Sequence, residues 1–161
     1  IKKVYCSDLG RTITTARIIA LEHNLDPVLI KDLRECDIGD WSDLPVKEAI
    51  QKWIKYYDSQ KAAGFLRENI RPPNGENSFD HQKRVMSAIK KIVDENANNT
   101  VVVVGHGGTN RVIIGSFENI DPDNFYEVGQ DNACINIIET NGNESKVIVV
   151  NDTTHLNNET D

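Results

Sequence analysis

Residues Val101 to Asn110 read VVVVGHGGTN. Four β-branched residues without interruption suit a strand buried on both faces of a parallel sheet. His106 would then stand at the carboxyl end of that strand, where open α/β sheets bind their ligands. Gly107 and Gly108 let backbone approach a ligand closely before a helix begins, roughly Thr109 to Phe117. A histidine that merely caps a strand is the plainer alternative. The rest of the chain must supply its partners.

Upstream, Val4 to Cys6 reads as a short strand that ends at Ser7 and Asp8, both good helix N-caps. A helix follows to about His23, with Ile13, Ala16, Ile19 and Ala20 on one face and Asn24 as its C-cap. Val28 to Leu33 reads as a second short strand. Leu44 to about Lys61 is helical: Pro45 suits the first turn, and Val46, Ile50, Trp53, Ile54 and Tyr57 form the apolar stripe. After the turn-rich loop NIRPPNGEN, Ser78 caps a helix to about Asn96, with Phe79, Val85, Met86, Ile89 and Val93 facing inward. Beyond the valine strand and its helix come two more strands, Ala133 to Thr140 and Ser145 to Val150. They are joined at Asn141-Gly142, a strong hairpin signal. The polar tail NNETD is expected to fray.

Strands alternating with helices indicate an α/β fold: a three-layer α/β/α sandwich with a mostly parallel sheet and a C-terminal antiparallel hairpin edge. The 161 residues suffice for one domain with a sizeable core, and neither a repeat nor a linker divides residues 1–161. A net charge of −7 argues against nucleic acid or an anionic membrane as partner. An anionic small molecule stays open, because a pocket can be locally positive on an acidic protein. Cys6, Cys36 and Cys134 form no CxxC pair, which suits a reduced, cytoplasmic protein, and no apolar run reaches membrane-spanning length. The chain opens on Ile1 and passes at once into a core strand, so the expectation is a fragment whose start lies upstream.

Three other places carry chemistry. In CSDLGRTITTA, Arg11 falls in the first turn of a helix leaving a strand end, and a guanidinium fork beside helix N–H groups binds phosphate. In LRECDIGDW, Glu35 lies just past a strand in a semi-enclosed loop, a suitable place for a general acid. In NDTTHL, His155 could line a site after the last strand. Each has an ordinary reading taken alone: a solvated arginine, a loop glutamate, a surface histidine. No aspartate cluster of the magnesium-holding kind and no histidine pair at zinc spacing is present, so neither metal nor cofactor is expected.

Together, Ser-x-Leu-x-Arg-x-x-x-Thr-Ala (from Ser7), Leu-x-Glu-x-x-x-Gly-x-Trp (from Leu33), Pro-Pro-x-Gly-Glu (from Pro72), Gly-His-Gly-Gly (from Gly105) and Asn-Asp-Thr-x-His-Leu (from Asn151) form one ordered pattern. It resembles that of the histidine phosphatase superfamily, with the phosphoglycerate mutase-like fold, from the middle of the family's pattern to its end. The nearest likeness is to the small phosphatase branch, which includes α-ribazole phosphatases and broad-specificity phosphomonoesterases. The resemblance implies that Arg11 binds phosphate, Glu35 donates the proton, His106 stabilises the transferred phosphoryl group and Gly107 offers a backbone N–H. Family members also carry an Arg-His-Gly whose histidine is the nucleophile. This chain has none, because His23 and His81 lack both flanking residues, so the nucleophile is expected upstream of Ile1. The implied activity is metal-independent hydrolysis of a small phosphorylated metabolite through a phosphohistidine. The alternatives are a phosphoglycerate mutase, which the short segment between Glu35 and His106 disfavours, and a phosphate-binding protein without catalysis.

Overall fold

The structure, a computed structural model, describes residues 1–141 and 144–158. Its centre is a parallel sheet of β1 (Lys3–Cys6), β2 (Val28–Leu29) and β3 (Val101–Val104) in the order β2-β1-β3. The register runs from Lys3 opposite Val101 to Cys6 opposite Val104, so both strands end level. Side chains alternate across this sheet, as strand geometry demands. Val4 and Cys6 are fully buried with Ala16 and Ala20 of α1 (Gly10–Leu21), and Val102 and Val104 pack there too. Tyr5 points the other way, into a cluster with Val85, Ala88, Ile89 and Ile92, Val112, Ile113 and Phe125. The residues from Val85 to Ile92 belong to α3 (Ser78–Glu95), and Val112 and Ile113 to α4 (Gly107–Phe117). Helices therefore cover both faces of a parallel sheet, the expected α/β class.

The C-terminal strands β4 (Ile135–Thr140) and β5 (Ser145–Asp152) pair antiparallel, as expected, but form a sheet of their own. The Gly142 of their expected turn and the last three residues of the tail lie outside the described residues. Among the described residues β3 bonds only to β1, and β4 only to β5. The valines of β3 are accordingly half-buried, not buried on both faces as their unbroken run suggested. β1 holds the central, fully covered place instead.

Several local expectations change for identifiable reasons. Ser7 and Asp8 do not cap α1; Leu9 is the N-cap residue, without a side-chain bond, because both polar residues are engaged elsewhere. The C-cap is Glu22, not Asn24; Asn24 follows in the left-handed conformation, φ 55°, which turns the chain so that the Leu25 N–H also bonds to the Ala20 carbonyl. β2 stops at Leu29 and a 3-10 turn follows over Lys31–Leu33, which carries Leu33 into the core. Asn77, not Ser78, caps α3, its side chain accepting from the Asp80 N–H at 2.8 Å. Of the expected apolar stripe of helix α2 (Val46–Ala62), Trp53 and Tyr57 face inward, but Val46, Ile50 and Ile54 are 76%, 53% and 53% exposed. Its inward face is Ala49, Trp53, Tyr56 and Tyr57; the Trp53 and Tyr56 rings lie against Trp41, with Trp41 and Tyr56 edge-on at 5.5 Å, and the Tyr57 ring lies against Trp53. Two apolar stripes overlap on this helix, and the larger aromatic area wins burial.

Candidate active site

Because β1 and β3 end level, the residues that follow them meet. His106, 7% exposed, is the N-cap residue of α4. Its Nε2 lies 2.7 Å from Ser7 Oγ, and Arg11 Nε–H donates to its Nδ1 at 3.2 Å. A guanidinium can only donate, so Nδ1 must be bare and the ring proton sits on Nε2. Ser7 then accepts from the ring and donates to Thr12 Oγ1 at 2.7 Å, and Thr12 donates to the Leu9 carbonyl at 2.8 Å. The hydrogens all point one way, from Arg11 to a backbone oxygen. Burial, followed by the Arg11 charge, holds the His106 pKa below the usual histidine value, consistent with this neutral ring.

Glu35 reaches the same place from the loop after β2. Its Oε2 accepts from the Gly108 N–H at 2.9 Å and its Oε1 from the Cys36 N–H at 3.0 Å. The carboxylate thus lies on the first turn of α4, where unpaired N–H groups and the helix dipole favour negative charge. A Cβ on Gly108 would fall 2.3 Å from Glu35 Oε1, so only glycine admits this approach. Arg34 is turned away, held in a two-pronged pair by Asp8 at 2.6 and 2.7 Å. Arg11, Glu35, His106 and Gly107 therefore converge on the amino end of α4.

His23 and His155 are exposed. His81 is buried on α3 and contacts Thr109 Oγ1 at 3.3 Å. Thr109 donates to the Arg34 carbonyl, so it accepts from the His81 ring. Burial, then the Arg84 charge, lowers the His81 pKa to about 4. Between pH 6.5 and about 4 the unfolded chain would bind a proton that the native state does not, so stability must rise with pH across that window. Urea unfolding is expected to show on the order of 3 kcal/mol lost from pH 7 to pH 4 through this group. His81→Gln should flatten that slope, and an unchanged slope would show that His81 is not its source.

Ligand-type atoms of Cys36, Glu76 and His81 lie within 4.8 Å of one another. A cation is already there in another form: the Arg84 guanidinium pairs with Glu76. Burial, then Glu76 and Glu35, pushes the Cys36 thiol up to about 12, so it stays protonated. A metal ion would have to displace the guanidinium and deprotonate the thiol. The sequence reading missed Ser7, Thr12, Glu76 and Arg84 as parts of the site. Of these, Ser7, which opens Ser-x-Leu-x-Arg, and Glu76, inside Pro-Pro-x-Gly-Glu, carried a signal.

The profile of the histidine phosphatase superfamily (branch 1) matches residues 1–153. The chain belongs to this superfamily. Phosphoserine phosphatase 1 of Hydrogenobacter thermophilus is 28% identical over 159 residues, which cover 95% of the chain and 71% of that protein. Phosphoglycerate mutase-like protein 4 of Arabidopsis thaliana is 36% identical over 113 residues, 69% of the chain and 48% of its own length. Among solved structures, YhfR of Bacillus stearothermophilus superposes with a TM-score of 0.83 at 26% identity, covering 97% of the chain and 76% of YhfR. Among the described residues, no helix is long and apolar enough to cross a membrane.

Proposed function

We propose that the complete protein is a metal-independent phosphomonoester hydrolase acting on a small phosphorylated metabolite. The observation that carries this reading is the contact of Arg11 with His106 at the amino end of α4, beside the Gly107 and Gly108 backbone. Guanidinium, imidazole and helix N–H groups together suit the equatorial oxygens of a phosphoryl group, and such charge stabilisation dominates phosphoryl transfer. The phosphatase name of a relative matched over most of this chain supports the same class.

In this mechanism a second imidazole attacks phosphorus in line. A P–N bond forms as the P–O bond to the alkoxide breaks, and Glu35 gives its proton to the leaving oxygen. Water then attacks phosphorus, the P–N bond breaks, and the Glu35 carboxylate takes the water's proton. The attacking histidine comes from a strand outside this sequence. The edge of β3 that has no neighbour among the described residues supports that placement, because a further parallel strand beside it would end next to His106. No metal enters any step.

The part present here is testable alone. Inorganic phosphate added to the chain should displace Glu35 from the Gly108 N–H and move the Gly108 and His106 NMR signals. Arg11→Ala is expected to weaken phosphate roughly 10- to 100-fold, the range for hydrogen bonds to a charged group. Equal affinity in that variant would sink the assignment of Arg11.

A further inference from the structure

We infer that Arg84 on α3 is the positioning residue for the proton donor, holding the Glu35 loop through its backbone. The inference rests on the reading of Glu35 as the acid. Arg84 has five N–H donors and all five are used. Its two NH1 hydrogens go to the carbonyls of Asp32 at 2.8 Å and Arg34 at 2.9 Å. One NH2 hydrogen goes to the carbonyl of Glu35 itself, at 2.9 Å. The other NH2 hydrogen and Nε–H go to the Glu76 carboxylate, Nε–H at 2.9 Å from Oε2. One rigid planar group thus grips three carbonyls within four residues of chain.

Glu76 completes the grip from the other side. Its Oε1 accepts from the Asp37 N–H at 2.9 Å, and its own N–H donates to the Asp37 carbonyl at 2.8 Å. The loops touch backbone to backbone beyond that point: a Cβ on Gly39, whose φ is +57°, would lie 2.1 Å from the Pro73 carbonyl. Residues 32 to 37 are therefore fixed on both flanks of Glu35, whose carboxylate they present to the Gly108 N–H. Arg84 sits under the loop, with 23% of its side chain exposed, and the hydrogen-bond pattern gives it no direct part in phosphate binding. Its task is geometric, and geometry of this kind is worth large factors in rate.

Lysine has three donors from a single point and cannot span this set. In the chain itself, Arg84→Lys should shift the Gly108 amide resonance toward its position in Glu35→Ala, with the Val4 and Cys6 amides unmoved as a control on folding. Should Arg84→Lys not fold, Glu76→Gln serves the same purpose, removing the charged partner with little change of shape; it should move Gly108 part of the way. A folded variant of either kind with Gly108 at its original position overturns the inference. In the complete enzyme, Arg84→Lys should lower kcat on alkyl phosphates roughly 10- to 100-fold more than on p-nitrophenyl phosphate. In an Arg84→Lys, Glu35→Gln double variant the two losses should not add. A merely destabilising substitution would lower both substrates alike, and that result would overturn the positioning role. If Glu35→Gln alone shows no preference between substrates while Gly108 still moves in Arg84→Lys, the acid assignment fails and the positioning of Glu35 stands.

Discussion

Mixed with p-nitrophenyl phosphate, the 161-residue chain should leave hydrolysis at the rate of buffer, with or without added metal. Each of its four histidines is misplaced for attack on phosphorus. His23 and His155 are exposed, His81 is buried against Thr109, and His106 has both ring nitrogens engaged, by Arg11 and by Ser7. Restoring an upstream strand that carries Arg-His-Gly should raise the rate by on the order of 10⁶-fold or more, the lower end of ordinary enzymatic acceleration. On the proposed mechanism the gain should survive a chelator, because the Arg11 guanidinium and the helix N–H groups would supply the charge that a metal would otherwise bring. Turnover by the chain alone that His106→Ala abolishes would identify His106 as the nucleophile and overturn the proposal.

In that restored enzyme, Glu35→Gln should slow alkyl phosphates by roughly 10²–10⁴-fold and p-nitrophenyl phosphate far less. An alkoxide needs a proton as it leaves; p-nitrophenolate hardly does. The neighbouring acids are otherwise occupied. Asp37 Oδ1 accepts from the Gly39 N–H at 2.9 Å, and Asp40 Oδ1 accepts from the Asn74 amide at 2.9 Å, both as loop fasteners. Equal losses on the two substrates would assign Glu35 to the water step or to positioning. A differential loss in Asp40→Asn would move the acid there.

The motif residues were legible in the sequence because each follows a strand end, and a parallel sheet brings its strand ends together. Arg11 and His106 meet for that reason, and Glu35 reaches them from the loop beyond β2. What surrounds them was not legible. Ser7 looks like a helix cap, and only the level ends of β1 and β3 bring its hydroxyl to the His106 ring. Arg84 looks like one more charge on an amphipathic helix, because nothing local says that three carbonyls from another loop will surround it. The inward face of α2 was half legible for a related reason. Val46, Ile50 and Ile54 keep a good helical period with Trp53 and Tyr57, but the aromatic rings offer more area to bury, Trp53 and Tyr56 against Trp41 and Tyr57 against Trp53. The run of valines suggested a central strand, and its half-burial arises because one edge of β3 has no neighbour among the described residues.

That edge has a consequence for how the chain behaves at high concentration. A strand with no neighbour along one side among the described residues, four valines and no charge within it is a template on which like chains can add edge to edge. Proteins guard such edges with lysine, proline or a bulge, and β3 has none of these. The defence left to it is long-range: a net charge of −7 sets up repulsion between molecules, and salt at physiological strength confines that repulsion to about 8 Å. A strand paired with β3, as the proposed mechanism requires, would act also as its solubilising cover.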